Sequence, residues 1–106
     1  MVPVIDESVI QAAAERLRAA APSARVILFG SHGRGEGGPH SDLDFLVVEP
    51  EVENPAGESV RLLRTLRELL VPVDIIVVSE RHVEEWREVR GSLVHAALVD
   101  GRVLAG

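Results

Sequence analysis

Between Leu28 and Val48 the chain reads LFGSHGRGEGGPHSDLDFLVV. An apolar run stops at Gly30-Ser31, the loop from Gly30 to Ser41 holds five glycines, and a second apolar run opens with Asp42 and Asp44. Uncompensated buried charge is costly, so two carboxylates at the mouth of a buried strand imply something that neutralises them. Successive strand side chains alternate faces, which puts Asp42 and Asp44 on one face and Leu43 and Phe45 on the other. Their α-carbons are then roughly 6.6 Å apart, close enough for both carboxyl groups to converge on one cation.

The flanking sequence supplies the rest of a small domain. Val9, Ile10, Ala13, Leu17 and Ala20 recur at helical spacing over 7–21, with Asp6 as N-cap and Pro22 beyond the end. Arg25–Phe29 (RVILF) and Asp42–Val48 read as strands. EPEVENPAGES (49–59) reads as a polar, exposed connection. A helix is expected over 59–70 with Leu63, Leu66 and Leu70 inward, then a third strand over 73–78 (VDIIVV). Ser79 is expected to cap a helix over 80–98 in which Gly91 is a weak point. Asp100-Gly101 makes a turn, and RVLA (102–105) is a short last strand. Trp86, with Val83, Leu93 and Ala97, is expected in the core. The predicted fold class is α/β (α+β): one small mixed sheet covered by helices, a single domain over 1–106.

Asp74 opens the third strand inside another apolar run. If that strand lies beside the second, three carboxylates meet at one sheet edge, where like charges raise one another's pKa unless a cation is present. Oxygen-only ligands suit a hard ion such as Mg²⁺, which binds through a few carboxylates plus substrate phosphates. Gly30-Ser31, at a strand-to-helix turn, lets backbone N–H groups approach a phosphate, and Arg34 adds a charge-assisted contact. Gly33, Gly35 and Gly38 match the G-x-G-x-x-G dinucleotide spacing, but Pro39 and a strand follow where a helix should begin, which rejects that motif.

Composition narrows the function classes. The chain has 106 residues, no cysteine, and eleven basic residues that are all arginine. The missing thiols exclude disulfides and thiolate metal sites; the missing lysine excludes a P-loop lysine and Schiff-base chemistry. A net charge of −6 and only three aromatic residues argue against nucleic acid as a partner of this chain alone. No apolar run spans a bilayer and the N-terminus lacks signal-peptide features, so no membrane partner and a cytoplasmic location are expected. His32, His40, His82 and His95 share no metal-ligand spacing, and Arg61, Arg64 and Arg67 form a stripe expected to face solvent. LVHAALV (93–99) is apolar almost all round, which predicts an interface with another chain, an oligomer among the options.

GSHGRG, then SDLDFLVV, then VDIIVV resembles the nucleotidyltransferase signature of the DNA polymerase beta superfamily. More narrowly, the chain is similar to the minimal nucleotidyltransferases (MNT), over roughly Ala24 to Val78. The resemblance implies a catalytic palm in which Gly30 and Ser31 hold nucleotide phosphates and Asp42 and Asp44 are paired metal ligands. It implies that Asp74 binds a metal and activates the attacking hydroxyl, and that Arg34 belongs to the phosphate side. It implies two Mg²⁺ ions, or Mn²⁺, and ATP or another NTP as donor. Gly33 departs from the family's preference for helix formers and, with Gly35, Gly37 and Gly38, predicts a looser loop. Minimal nucleotidyltransferases are commonly paired with small helical HEPN-type toxins, which implies an antitoxin-like transfer of AMP to a partner tyrosine. The alternatives are an aminoglycoside-like small-molecule nucleotidyltransferase and a non-catalytic module that neutralises its partner by contact.

Overall fold

The computed structural model describes residues 4–105. Helix α1, Glu7–Ala20, starts where the Asp6 carboxylate accepts the Val9 N–H at 3.1 Å, and it turns Ile10, Ala13, Ala14 and Leu17 inward. Strand β1, Arg25–Phe29, runs into a single helical turn, α2, Gly30–Gly33. Strand β2 is Leu43–Glu49, helix α3 Pro55–Thr65 and strand β3 Val73–Ser79. Helices α4, Glu80–Trp86, and α5, Leu93–Asp100, precede the last strand β4, Arg102–Ala105.

The four strands form one mixed sheet in the order β3-β2-β1-β4, with β1 antiparallel to β2 and β4, and β2 parallel to β3. The parallel pair requires a crossover, which α3 supplies. Alternation then divides the core. Val26, Leu28, Leu43, Phe45, Val47, Ile75 and Val77 pack on one face beneath α1 and α3. Ile27, Leu46, Val48 and Val78 pack on the other against Val83 of α4 and Val94 and Ala97 of α5. The expected mixed sheet covered by helices is the observed architecture.

Several expected boundaries are corrected. The helix expected over 59–70 begins at Pro55, because Asn54 caps the Gly57 N–H at 3.1 Å and Pro55, at the first turn, needs no donor. It ends at Thr65, and a short 3₁₀ turn, Arg67–Leu69, follows. Its inner residues are Leu62 and Leu66, while Leu70, expected inward, sits at φ +55° and is 70% exposed. The helix expected over 80–98 is two helices: Gly91 takes φ +86° and Ser92 caps a new start by accepting the His95 N–H at 3.1 Å. That break leaves Trp86, expected in the core, 43% exposed, with Leu93 also outside. Arg61, Arg64 and Arg67 are exposed as expected, and Arg61 also pairs with Glu58 and donates to the Ala20 carbonyl at 2.9 Å, tying α3 to the end of α1. Arg102 of β4 pairs with Glu7 and closes the opposite side of α1.

Candidate active site

The sheet order explains why Gly30, Asp44 and Asp74 meet. β2 and β3 are parallel, so both start at the same end of the sheet, and Asp44 lies in register with Asp74. β1 is antiparallel and finishes at that end, with Phe29 in register with Asp44. Neighbouring strands are about 4.8 Å apart, so the aspartates are cross-strand neighbours on the face shared with Leu46 and Val48. Asp42 stands just ahead of β2 and is exposed, as is Asp74, while Asp44 is half-buried.

Gly30 is bound to this arrangement twice. It adopts φ +68°, a conformation L side chains rarely take, and a Cβ there would collide with the Asp44 carboxylate. The chain can bring its strand-to-helix turn against a carboxylate only because this residue has no side chain. Gly33 is also constrained by space, since its missing Cβ would meet the Leu28 carbonyl. The turn is thus packed tightly onto β1 at Gly33, whereas a Cβ at Gly35, further along the loop expected to be looser, would meet nothing within 4 Å.

Electrostatics agree with the geometry. The Asp44 carboxyl is pushed above the ordinary carboxylate range, first by burial, then by the charges of Asp74 and Asp42, with His32 partly offsetting them. Among the described residues no hydrogen-bond donor contributes to its stabilisation. His32 is the residue the sequence pattern did not single out. Its Nε2 lies 3.2 Å from the Ser41 carbonyl and its ring packs where a Gly37 side chain would be, bracing the loop between Ser31 and Asp42. Its position directly after Gly30-Ser31 was the available signal. Arg34, expected on the phosphate side, pairs with Glu36 at 3.0 Å. His40 is exposed.

A family model for the nucleotidyltransferase domain matches residues 10–101. The chain belongs to this nucleotidyltransferase family. It is therefore a transferase acting on a nucleoside triphosphate, in a family whose members generally use divalent metals. Comparison with curated proteins finds no match. Among the described residues no helix is long and apolar enough to cross a membrane.

Whether this nucleotidyltransferase's own residues suit a metal can be judged from its donors. Among the described residues no three His, Asp or Glu side chains are already gathered into a metal-binding group. Three carboxylates nonetheless lie at this end of the sheet, close enough that Asp74 and Asp42 perturb Asp44, with the His32 ring near them. Carboxylates suit a hard divalent cation, and the side chains of Asp42 and Asp74 are exposed.

Proposed function

We propose that the chain transfers AMP from ATP to a hydroxyl acceptor. Asp42, Asp44 and Asp74 would hold Mg²⁺, with Mn²⁺ as a substitute, and Gly30 and Ser31 would hold the phosphates. Asp44 in register with Asp74, beside the Gly30 turn, is the observation that carries this reading. Divalent ions at these carboxylates would supply the positive charge that stabilises a transferring phosphoryl group and lowers the pKa of an attacking hydroxyl.

The chain's residues then have separate tasks. The first N–H groups of α2 lack intrahelical partners and face an anion favourably, so the turn at Gly30-Ser31 receives the triphosphate. Arg34 joins this side once it exchanges Glu36 for a phosphate, a charge-assisted contact. The acceptor hydroxyl oxygen attacks the α-phosphorus while the bond to the bridging oxygen breaks. Pyrophosphate leaves with the bonding electron pair, and Asp74, on the edge strand β3, accepts the hydroxyl proton. No covalent enzyme intermediate is needed; positioning and electrostatics lower the barrier.

The acceptor best suited to the resemblance is a tyrosine of a small helical HEPN-type partner, which makes the chain an antitoxin that acts by modification. The test is incubation with α-labelled ATP, Mg²⁺ and HEPN-type proteins, read by intact mass. A gain of AMP units that disappears in Asp42→Asn is the expected result. Tight complex formation with no mass change in any candidate would instead identify a module that neutralises by contact.

A further inference from the structure

Strand β3 is one of the two outer strands of the sheet, β4 being the other. Its seven residues, Val73–Ser79, contain no proline, lysine or bulge of the kind that usually blunts an exposed edge. Its one acidic side chain, Asp74, sits at the active-site end. Ile76 is 36% exposed and shares a face with Asp74, roughly 6.6 Å along the strand.

The edge is bordered by concavities on both sheet faces. One, of about 310 Å³, is lined by Ile76, Val78, Trp86, Leu93 and the His82 ring that stacks on Trp86 at 5.9 Å. The other, of about 250 Å³, lies toward α3, between Pro55, Ser59, Ile75 and Val77. Ser59 donates its hydroxyl to the Ile75 carbonyl at 2.6 Å, and that oxygen keeps a second lone pair for another donor.

Resting on the transferase reading, we propose that the β3 edge takes up an extended segment of a protein acceptor as a fifth strand. The segment presents a side-chain hydroxyl to Asp74 and, two residues away, an apolar side chain to the groove at Ile76 and Trp86. Strand addition enforces this arrangement, because side chains opposed across neighbouring strands share a face about 5 Å apart. The residue between them falls on the other face, at the concavity beside Ile75. Main-chain bonds supply affinity and the alternating pockets supply selectivity. The hydroxyl thereby reaches the carboxylate that takes its proton as its oxygen bonds to the α-phosphorus of ATP and pyrophosphate departs.

Charge decides between occupants. The chain carries −6, and both ends of the edge are acidic: Asp42, Asp44 and Asp74 at one, and Glu49, Glu51, Glu53 and Glu58 around a concavity of about 340 Å³ at the other. Pairing with a second copy would bring like charges together. A segment with an apolar centre and basic flanks is complementary along its whole length.

The test uses short synthetic peptides with a central Tyr, Ser or Thr, arginine at both ends, and Ile or Asp two residues from the hydroxyl. Glycerol serves as a small acceptor that cannot pair with a strand. With ATP and Mg²⁺, the Ile peptides are expected to gain one AMP unit, and the Asp peptides to lose about tenfold in kcat/KM. Ile76→Lys and Trp86→Ala should each raise the peptide KM by about tenfold while the KM for ATP stays within about twofold. Asp42→Asn should abolish every transfer. Glycerol modified but no peptide modified, or peptide KM indifferent to both variants, overturns the docking proposal and leaves the transferase reading intact. Failure to modify any acceptor sinks the transferase reading, and the docking proposal with it. A dimer that Ile76→Lys dissociates would assign the edge to a second copy and also overturn it.

Discussion

Gly30 carries two requirements at one residue: a left-handed backbone and empty space for the Asp44 carboxylate. Gly30→Ala should therefore destabilise by about 1–3 kcal/mol and, by displacing Asp44, abolish transfer. Urea denaturation and labelled-ATP turnover measure the two effects, and full activity in a merely destabilised variant would separate the glycine from the site. Asp44→Asn is expected to behave oppositely. Its side chain is isosteric and relieves repulsion from Asp74 and Asp42, so without metal the melting temperature should hold or rise while transfer falls by about 10²–10³-fold. An Asn variant that turns over normally would exclude Asp44 from the chemistry. These residues were legible because each breaks a local rule: charges inside apolar runs, and a glycine where a strand stops. His32 and Gly33 were not, since their reasons lie in contacts with the Ser41 and Leu28 carbonyls, which no local pattern encodes.

At the level of elements, composition misled where a cap or a single backbone angle decided. The segment 49–59 looked like a loop by its prolines and acids, yet Asn54 and Pro55 are the start signals of α3. The apolar run through 93–99 concealed a helix start at Ser92, because period alone cannot reveal a left-handed Gly91. The crossover has a consequence for pH. Where β2 ends, the Glu49 carboxyl is raised to about 7, first by burial and then by Glu58 at the start of α3, while Glu58 is lowered to about 2 chiefly by Arg61. One Glu49 oxygen is buried without a donor among the described residues, and the hydrogen bond with Glu58 favours the protonated form of Glu49. A group with a raised folded pKa adds stability that is complete below its ordinary value of 4.5 and is lost as pH rises through about 7. The wild type should thus lose stability across that window, and Glu49→Gln should flatten the loss and be the more stable protein above it. Urea midpoints taken from about pH 5 to about pH 8 test this; parallel curves for the two proteins would show that Glu49 does not titrate as the fold implies. Glu58 acts in the opposite sense, its contribution disappearing as pH falls from 4.5 toward about 2.

The whole molecule is built on a sheet that one chain reversal, from β1 to β2, and two crossovers orient. β1 delivers its turn, and β2 and β3 their aspartates, to a single end, and a chain of net charge −6 concentrates repulsion there. A cation that binds this end binds only the folded state, because unfolding separates Asp42, Asp44 and Asp74 along thirty-odd residues of chain. Ligand binding restricted to the folded state stabilises by RT ln(1 + [L]/Kd), about 2.7 kcal/mol at a hundredfold excess over Kd. For a domain of this size each kcal/mol moves the melting temperature by about 4–8 °C, so saturating Mg²⁺ should raise Tm by about 10–20 °C. Mg²⁺ added with a non-hydrolysable ATP analogue should raise it further, since phosphate oxygens complete the coordination that carboxylates begin. Asp42→Asn, Asp44→Asn and Asp74→Asn should each lose most of the Mg²⁺ shift, whereas Glu49→Gln, on the same strand at the other end of the sheet, should keep it. A shift equal in all four variants would mean that the ion acts by screening the net charge, and the three aspartates would then lose their claim to the metal.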